Sequence, residues 1–127
     1  MWTYRIAAGT MTRLDPYDTC EQCFQGYSGA GHARSDGRDN PDMQDVPGKG
    51  PVPAGTYTIG QPHYSPNTGP YTMDLVPQPG TDTFGRSLFR IHGNNEANDA
   101  SHGCIILPPD ARHAVWESGD HDLLVVA

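Results

Sequence analysis

Short runs of β-branched and aromatic residues, bounded by Gly, Pro or Asn, recur along the chain. Runs of this composition and length are typical of strands with a half-buried face. We therefore predict six strands: Trp2–Ala8, Thr56–Ile59, Tyr71–Val76, Leu88–Ile91, Cys104–Leu107 and Leu123–Val126.

One helix is predicted near the C-terminus, from Pro108 or Pro109 to about Glu117. Proline suits the first turn of a helix, Asp110 is favourable at its positive end, and Gly119 can end it. The side chains expected to face the core are Ala111, Val115 and Trp116.

The stretch from Gly26 to Gly55 is polar and rich in turn residues, which predicts a long surface loop. Its aspartates recur every three residues, at Asp36, Asp39, Asp42 and Asp45. Gly37 and Pro41 do not fit a calcium-binding loop, and no bidentate Glu follows. The pattern indicates a solvated loop that carries no metal.

Composition favours short strands and turns over long helices. Of 127 residues, 35% are hydrophobic, while 15 are Gly and 12 are Pro. This length fits one continuous core, so we predict a single domain over residues 1–127. The expected fold is mainly β, with one short helix near the C-terminus and long irregular loops.

The charge excludes two classes of partner. The net charge is -7, Lys49 is the only lysine, and no basic run is present, so we expect neither nucleic-acid binding nor binding to an anionic membrane. We expect no membrane insertion, since no apolar stretch approaches the length of a span, and no export signal at the N-terminus. The chain is expected to be made in the cytoplasm.

Three cysteines leave one unpaired. Cys20 and Cys23 form a Cys-x-x-Cys pair, and the sequence leaves open whether it has no function, forms a disulfide in an oxidising compartment, or serves metal or redox chemistry. Cys104 is the remaining thiol.

The chemistry is predicted where two strands flank a short polar loop. His92 ends one predicted strand and Cys104 begins another, so the fold can bring the imidazole and the thiol side by side. A nearby imidazolium lowers the pKa of a thiol. We therefore predict Cys104 as nucleophile and His92 as general base.

Gly103 and His102 directly precede the nucleophile. Because Gly103 has no side chain, a substrate carbonyl can approach the backbone N–H groups there, and those groups can form an oxyanion hole. Neighbouring residues of an extended chain point to opposite faces, so we assign His102 a supporting, orienting role.

Other interpretations of these residues remain open at this point. Cys104 on its own also fits a buried structural thiol. His92, His102 and Cys104 are competent zinc ligands, although no acidic base stands at a diagnostic spacing. As substrate contacts we name Arg86, which can bind a carboxylate in a bidentate pair, and the polar residues Tyr27, Ser28 and Asn94.

His92 followed by Ser101-His102-Gly103-Cys104 and then Ile105 resembles the signature of the YkuD-type L,D-transpeptidase catalytic domain. The resemblance implies a small β-sandwich or barrel, and it groups Ser101 with the substrate-binding residues. It further implies that the cysteine attacks a peptidoglycan stem peptide after its L-centred diaminopimelate and expels the terminal D-alanine. The acyl-enzyme then passes to an amine or to water, and no cofactor is required.

The wider layout resembles a compact branch of that family, the effectors delivered by type VI secretion. The matching segments are Met1–Tyr4, Gly26–Gly29, Gly50–Tyr57, Gly85-Arg86 and Ile91–Gly93. This branch implies an antibacterial toxin that acts in a rival's periplasm, with the secretion apparatus and a cognate immunity protein as partners. The chain departs from the general family in its spacer of eight residues, 93–100, and in Ile106, where many members have Arg or Asn.

Two further functions stay open. The domain can be a non-catalytic module of the same fold that binds stem peptides without turnover. It can also be a general cysteine protease acting on L-peptides, although the signatures of such proteases differ from this one.

Overall fold

The computed structural model describes residues 1–14, 16–17 and 19–127. It contains ten strands and one α-helix in that part of the chain. The strands are β1 (Trp2–Arg5), β2 (Thr10–Leu14), β3 (Cys20–Gln25), β4 (Tyr27–Ser28), β5 (Gly55–Ile59), β6 (His63–Ser65), β7 (Gly69–Pro77), β8 (Arg90–His92), β9 (Ile105–Ile106) and β10 (Asp122–Val126). The helix α1 spans Pro109–Glu117.

The strands form one mixed sheet in the order β3-β2-β1-β10-β5-β7-β8-β9-β4. β6 pairs with the N-terminal part of β7. Two pairings are parallel, β1 with β10 and β8 with β9. The mainly β prediction is confirmed. The hydrogen-bonded path itself is open, so it is not a fully closed barrel.

The two ends of this path, β3 and β4, are consecutive in the chain and separated only by Gly26. The sheet therefore curls back on itself and is joined covalently at this point. Gly26 N–H donates to the Gly9 carbonyl at 2.7 Å. A Cβ at Gly26 would lie 2.2 Å from the Ile106 carbonyl oxygen, so only glycine fits between β3 and β4.

The core lies on one face of the strands, because their apolar side chains alternate with polar ones. Trp2 and Tyr4 of β1 are fully buried, whereas Arg5 is exposed. The same alternation buries Ile91 of β8 and Ile105 of β9. Buried side chains from the strands and α1 form one cluster.

The helix begins and ends as predicted. Pro109 opens it, Asp110 lies in its first turn, and Gly119 follows it with a φ of 75°. Ala111 and Val115 are buried, and Trp116 packs against the same core; Arg112 is buried as well, which the sequence did not predict. No helix among residues 1–14, 16–17 and 19–127 is long and apolar enough to cross a membrane.

Four strands escaped prediction: β2, β3, β4 and β6. β3 is mostly exposed and polar, since it lies at one end of the sheet path and buries little surface. The first predicted strand was too long, because the chain turns after Arg5 and returns as β2. A strand with few apolar residues gives no signal in composition.

The predicted surface loop between Gly26 and Gly55 is buried at both ends. Tyr27 and Ser28 form β4, and Pro51, Val52 and Pro53 are buried. Between these ends the chain forms two 3-10 turns, Arg34–Asp36 and Pro41–Met43. Two of the four aspartates bind backbone: Asp39 accepts from Ser28 N–H, and Asp36 accepts from the N–H groups of His32 and Ala33. The prediction of a purely solvated loop was wrong for these parts.

Cys20 and Cys23 are joined as a disulfide, with their Cα atoms 6.0 Å apart. Three residues of regular strand would span roughly 10 Å. The pairing of β2 with β3 shifts its register here, so that Glu21 bulges out and the two cysteines approach each other. Of the alternatives that the sequence left open, the structure has the disulfide.

Candidate active site

His92 and Cys104 lie on the same face of two neighbouring strands. β8 and β9 run parallel, with Ile91 opposite Ile105. Because both isoleucines point into the core, the residues next to them along the chain point the other way. The sheet thus places the imidazole and the thiol on one side, as the sequence predicted.

Both side chains open into a cleft of about 580 Å³. Its lining residues are Asn67, Thr68, His92, Gly93, Asn94, Asn95, Asp99, Ala100, His102 and Cys104. Asn67 and Thr68 were missed by the sequence analysis. They belong to the turn between β6 and β7, which is far from His92 in the chain and carries no motif.

His92 is held in one orientation. Its ring is buried, and Nδ1 lies 2.9 Å from the Gly93 carbonyl oxygen, which can only accept a hydrogen bond. We therefore assign the proton of the neutral ring to Nδ1, which leaves the lone pair on Nε2. Burial lowers the pKa of His92, and the cations Arg112 and Arg90 lower it further. A neutral imidazole with a free Nε2 is the form that a general base requires.

Cys104 is partly buried and rests as a thiol. Its Sγ–H contacts the Leu88 carbonyl at 3.7 Å, and the backbone N–H of Arg90 donates to the sulfur. Burial raises the pKa of Cys104, although the Arg90 and Arg86 guanidinium groups oppose this shift. This raised pKa runs opposite to the lowering by a nearby imidazolium that the sequence analysis expected. The two pKa shifts favour a neutral thiol beside a neutral imidazole.

Ser101 holds the turn that contains Cys104. Its side chain is fully buried, and its Oγ donates to the Cys104 carbonyl at 2.7 Å. The same Oγ accepts from Gly103 N–H at 3.1 Å and from Gly29 N–H at 2.9 Å. Ser101 does not line the cleft, so its predicted role in substrate binding gives way to a structural one.

Ser28 supports the same turn from β4. Its buried Oγ donates to the Gly103 carbonyl at 3.4 Å and accepts from Val52 N–H at 2.8 Å. Ser28 also lies outside the cleft lining, so the structure does not support its predicted contact with substrate.

Gly103 adopts a φ of 135°, which side chains rarely adopt. Its own N–H is bonded to Ser101, which removes it from the predicted oxyanion hole. In a trans peptide the C=O and the following N–H point in opposite directions. Because Ser28 binds the Gly103 carbonyl, the Cys104 N–H points away from Ser28.

Tyr27 and Asn94 shape the loop 93–100. The Tyr27 hydroxyl donates to Asn94 Oδ1 at 2.6 Å and accepts from Ala100 N–H at 2.9 Å. Tyr27 faces a second pocket of about 280 Å³ beside the cleft, whereas Asn94 lines both. Of the predicted substrate contacts Tyr27, Ser28, Arg86, Ser101 and Asn94, only Asn94 reaches the cleft.

His102 is exposed and lines the cleft, and its Nδ1 lies 3.3 Å from the Gly48 carbonyl. Its orienting role stays a prediction. Arg86 lies outside the cleft lining, and its guanidinium donates to the carbonyls of Gln44, Gly50 and Pro51 at 2.6 to 2.9 Å. Since backbone groups occupy these donors, the structure does not support a carboxylate clamp at Arg86.

Zinc chemistry gains no support from the arrangement. Within the described ranges, no three His, Cys, Asp or Glu side chains are placed to hold a metal ion together.

Comparison with known proteins identifies the family of this chain. Residues 22–123 match the model of the Tlde1 domain family. A comparison with curated proteins found no match.

Two solved structures share the fold. The L,D-transpeptidase from Xylanimonas cellulosilytica aligns with a TM-score of 0.56 at 14% identity and covers 98% of this chain. L,D-transpeptidase 1 from Mycobacterium tuberculosis aligns with a TM-score of 0.52 at 16% identity and covers 99%. This chain spans 59% and 58% of those two chains. The resemblance to L,D-transpeptidases that His92 and Ser101–Cys104 indicated is confirmed. Because the family model covers residues 22–123, the chain belongs to the Tlde1 domain family, and it has the fold of the L,D-transpeptidases.

Proposed function

We propose that this chain is a peptidoglycan-modifying cysteine acyltransferase, an L,D-transpeptidase with D-amino acid exchange, L,D-carboxypeptidase activity on stem tetrapeptides, or both. The observation that carries the proposal is the placement of Cys104 and His92 in one cleft, with His92 Nδ1 against the Gly93 carbonyl. Family membership and fold support it. The proposed substrate is a stem peptide.

In the first half-reaction, the Cys104 sulfur attacks the carbonyl carbon of the bond before the terminal D-alanine. His92 Nε2 takes the thiol proton as the S–C bond forms. Cys104 N–H donates to the resulting oxyanion. The C–N bond then breaks, and the imidazolium returns the proton to the leaving amine, so that D-alanine departs and a thioester remains.

In the second half-reaction, an acceptor attacks the thioester carbonyl. His92 takes one proton from the acceptor and delivers it to the departing sulfur, which restores the Cys104 thiol. A free D-amino acid as acceptor gives exchange of the terminal residue. Water as acceptor gives carboxypeptidase action.

The biological role follows from either outcome. Stem peptides without a normal terminal D-alanine are poor donors for cross-linking, so the activity weakens the cell wall. We propose an antibacterial effector that type VI secretion delivers to the periplasm of a target cell. A producer of such an enzyme requires an immunity protein, which we expect to cover the cleft.

One observation favours a second candidate, a non-catalytic module that binds stem peptides. Burial raises the pKa of Cys104, and its thiol is engaged by the Leu88 carbonyl, as in a structural cysteine. This candidate predicts binding in the cleft without turnover.

Mass spectrometry of disaccharide-tetrapeptide muropeptides, incubated with the protein with and without a free D-amino acid, separates the candidates. The acyltransferase removes or replaces the terminal D-alanine, and Cys104→Ala abolishes both reactions while it still binds muropeptide. Muropeptides that bind the wild-type protein but stay unchanged would support the binding module. Digestion of casein in a parallel reaction would instead indicate a general protease.

A further inference from the structure

Arg86 lies in the segment between β7 and β8, with a half-buried guanidinium. Nη1 donates to the carbonyls of Gln44 at 2.6 Å and Pro51 at 2.7 Å, and Nη2 donates to Gly50 at 2.9 Å. The side chain also lies over the Phe89 ring, 5.3 Å from its centroid. Arg86 therefore ties the 44–51 segment to the part of the chain that leads into β8.

The same guanidinium also contacts the turn 101–104, which contains Cys104. Nη2 lies 3.4 Å from the His102 carbonyl, and a Cβ at Gly103 would stand only 2.6 Å from Nη2. Thus the glycine before the nucleophile is required for the arginine to approach the turn. This contact explains Gly103 more directly than the approach of substrate, which the sequence suggested.

Three consecutive carbonyls of the turn each accept a hydrogen bond from a side chain. Arg86 binds that of His102, Ser28 that of Gly103, and Ser101 that of Cys104. Since each trans peptide fixes its N–H opposite to its C=O, these bonds direct Gly103 N–H to Ser101 and Cys104 N–H away from Ser28. Of the three side chains, only Arg86 carries a charge, and its guanidinium lies against Gly103, next to Cys104. Burial raises the pKa of the Cys104 thiol, and the cations Arg90 and Arg86 oppose this shift, whereas Asp74 adds to it.

We propose that Arg86 is a positioning residue for the nucleophile: it fixes the His102–Gly103 peptide against the 44–51 segment and stabilises the thiolate that forms on Cys104 during attack. It acts through the turn and does not bind substrate. The kinetic part of this inference rests on the acyl transfer proposed above, whereas the part concerning Cys104 can be tested without substrate.

The kinetic test compares wild type, Arg86→Met and Arg86→Lys on disaccharide-tetrapeptide. For Arg86→Met we expect kcat to fall by about 10- to 100-fold with little change in KM, since a small displacement of reacting groups costs rates of this order. A lysine retains a charge but cannot reach several carbonyls with one nitrogen, so kcat of Arg86→Lys should stay low. A residue that bound the substrate carboxylate would instead raise KM and leave kcat intact, and that result would overturn the proposal.

The substrate-free test measures the rate of Cys104 alkylation by iodoacetamide against pH. The midpoint for Arg86→Met should move to higher pH than in wild type, and Arg86→Lys should lie between them. Arg34→Met is the matched control, because Arg34 is exposed and its guanidinium, within the described residues, donates to the Ala7 carbonyl and to no group of the turn 101–104. Its midpoint should equal that of wild type.

The two tests separate the possible failures. A wild-type protein that leaves muropeptides unchanged, together with a shifted midpoint in Arg86→Met, contradicts the proposed function and supports the role of Arg86 beside Cys104. An active wild type with an unshifted midpoint and full kcat in Arg86→Met overturns the Arg86 proposal alone. Should Arg86→Met fail to fold by circular dichroism, the conservative Arg86→Lys variant decides: wild-type kcat in that variant overturns the positioning role.

Discussion

The turn that carries Cys104 and the loop that follows His92 line one cleft, but they are fixed in opposite ways. The turn is fixed by buried side chains, Ser28 and Ser101, that reach its carbonyls and N–H groups. The loop 93–100 is exposed from Asn94 to Asp99 and is held largely by pairs of its own side chains. Rigid support is thus concentrated on the side of the cleft that carries Cys104.

Among the described residues, three side chains from other segments bind the loop 93–100. Arg38 Nη1 donates to the Asn98 carbonyl at 2.8 Å, His32 binds the Ala97 carbonyl at 2.7 Å, and Tyr27 bonds to Asn94. The bonds from Arg38 and His32 are exposed, and exposed hydrogen bonds open more easily than buried ones. The difference teaches that this fold fixes the turn that carries Cys104 more tightly than the loop 93–100 on the other side of the cleft.

The largest effect on turnover is expected at His92, the proposed general base. His92→Gln removes the proton acceptor, and kcat for muropeptide turnover should fall by about 100- to 10,000-fold. His113→Gln, on the exposed face of α1 and outside the cleft lining, is the control and should retain activity. Near-normal turnover by His92→Gln would show that another group takes the thiol proton.

The next largest effect is expected at Ser101, which holds the turn that carries Cys104. Ser101→Ala leaves Gly29 N–H, Gly103 N–H and the Cys104 carbonyl without this partner, and each buried unpaired group costs about 1–3 kcal/mol. Urea denaturation should show a loss of unfolding free energy in this range or above it, and kcat should fall by about tenfold through misplacement of the turn. Ser35→Ala, at an exposed serine, should change neither quantity.

A smaller effect is expected from substitutions in the exposed loop 93–100. Asn98 has a φ of 58°, and its Oδ1 accepts from Asn94 Nδ2 at 2.8 Å. Asn98→Gly keeps this backbone conformation accessible but removes an acceptor that also binds Arg38 Nη2 at 3.4 Å. KM should therefore rise by about two- to fivefold, as expected for the loss of exposed hydrogen bonds, while kcat stays the same. Asn98→Asp retains an acceptor and should keep the wild-type KM. A loss of kcat in Asn98→Gly would mean that the loop also positions the reacting groups.

The smallest effect is expected from pH. Burial lowers the pKa of His92 below its ordinary 6.5 and raises that of Cys104 above 9.0. The neutral pair therefore predominates between these values, and kcat/KM should rise with pH only below 6.5 and change by less than about twofold from pH 7 to 8.5. A bell with its maximum inside that window would indicate a preformed thiolate–imidazolium pair instead.

The sequence by itself determined the features that depend on neighbouring residues. Short runs of β-branched and aromatic residues located six of the ten strands, and proline, aspartate and glycine located α1. His92 and Cys104 were found because their strands are joined by a short loop. The order Ser101-His102-Gly103-Cys104 was specific enough to indicate the family.

Only the tertiary structure decided which side chains support the site and which face the substrate. Ser28 and Arg86 hold carbonyls that are 75 and 16 residues away in the chain, and Asn67 and Thr68 enter the cleft from another hairpin. A polar residue in a turn has the same local pattern whether its hydrogen-bond partner is a substrate or a distant carbonyl. The partner is chosen by the packing of the whole sheet, which brings remote segments together to satisfy buried backbone groups.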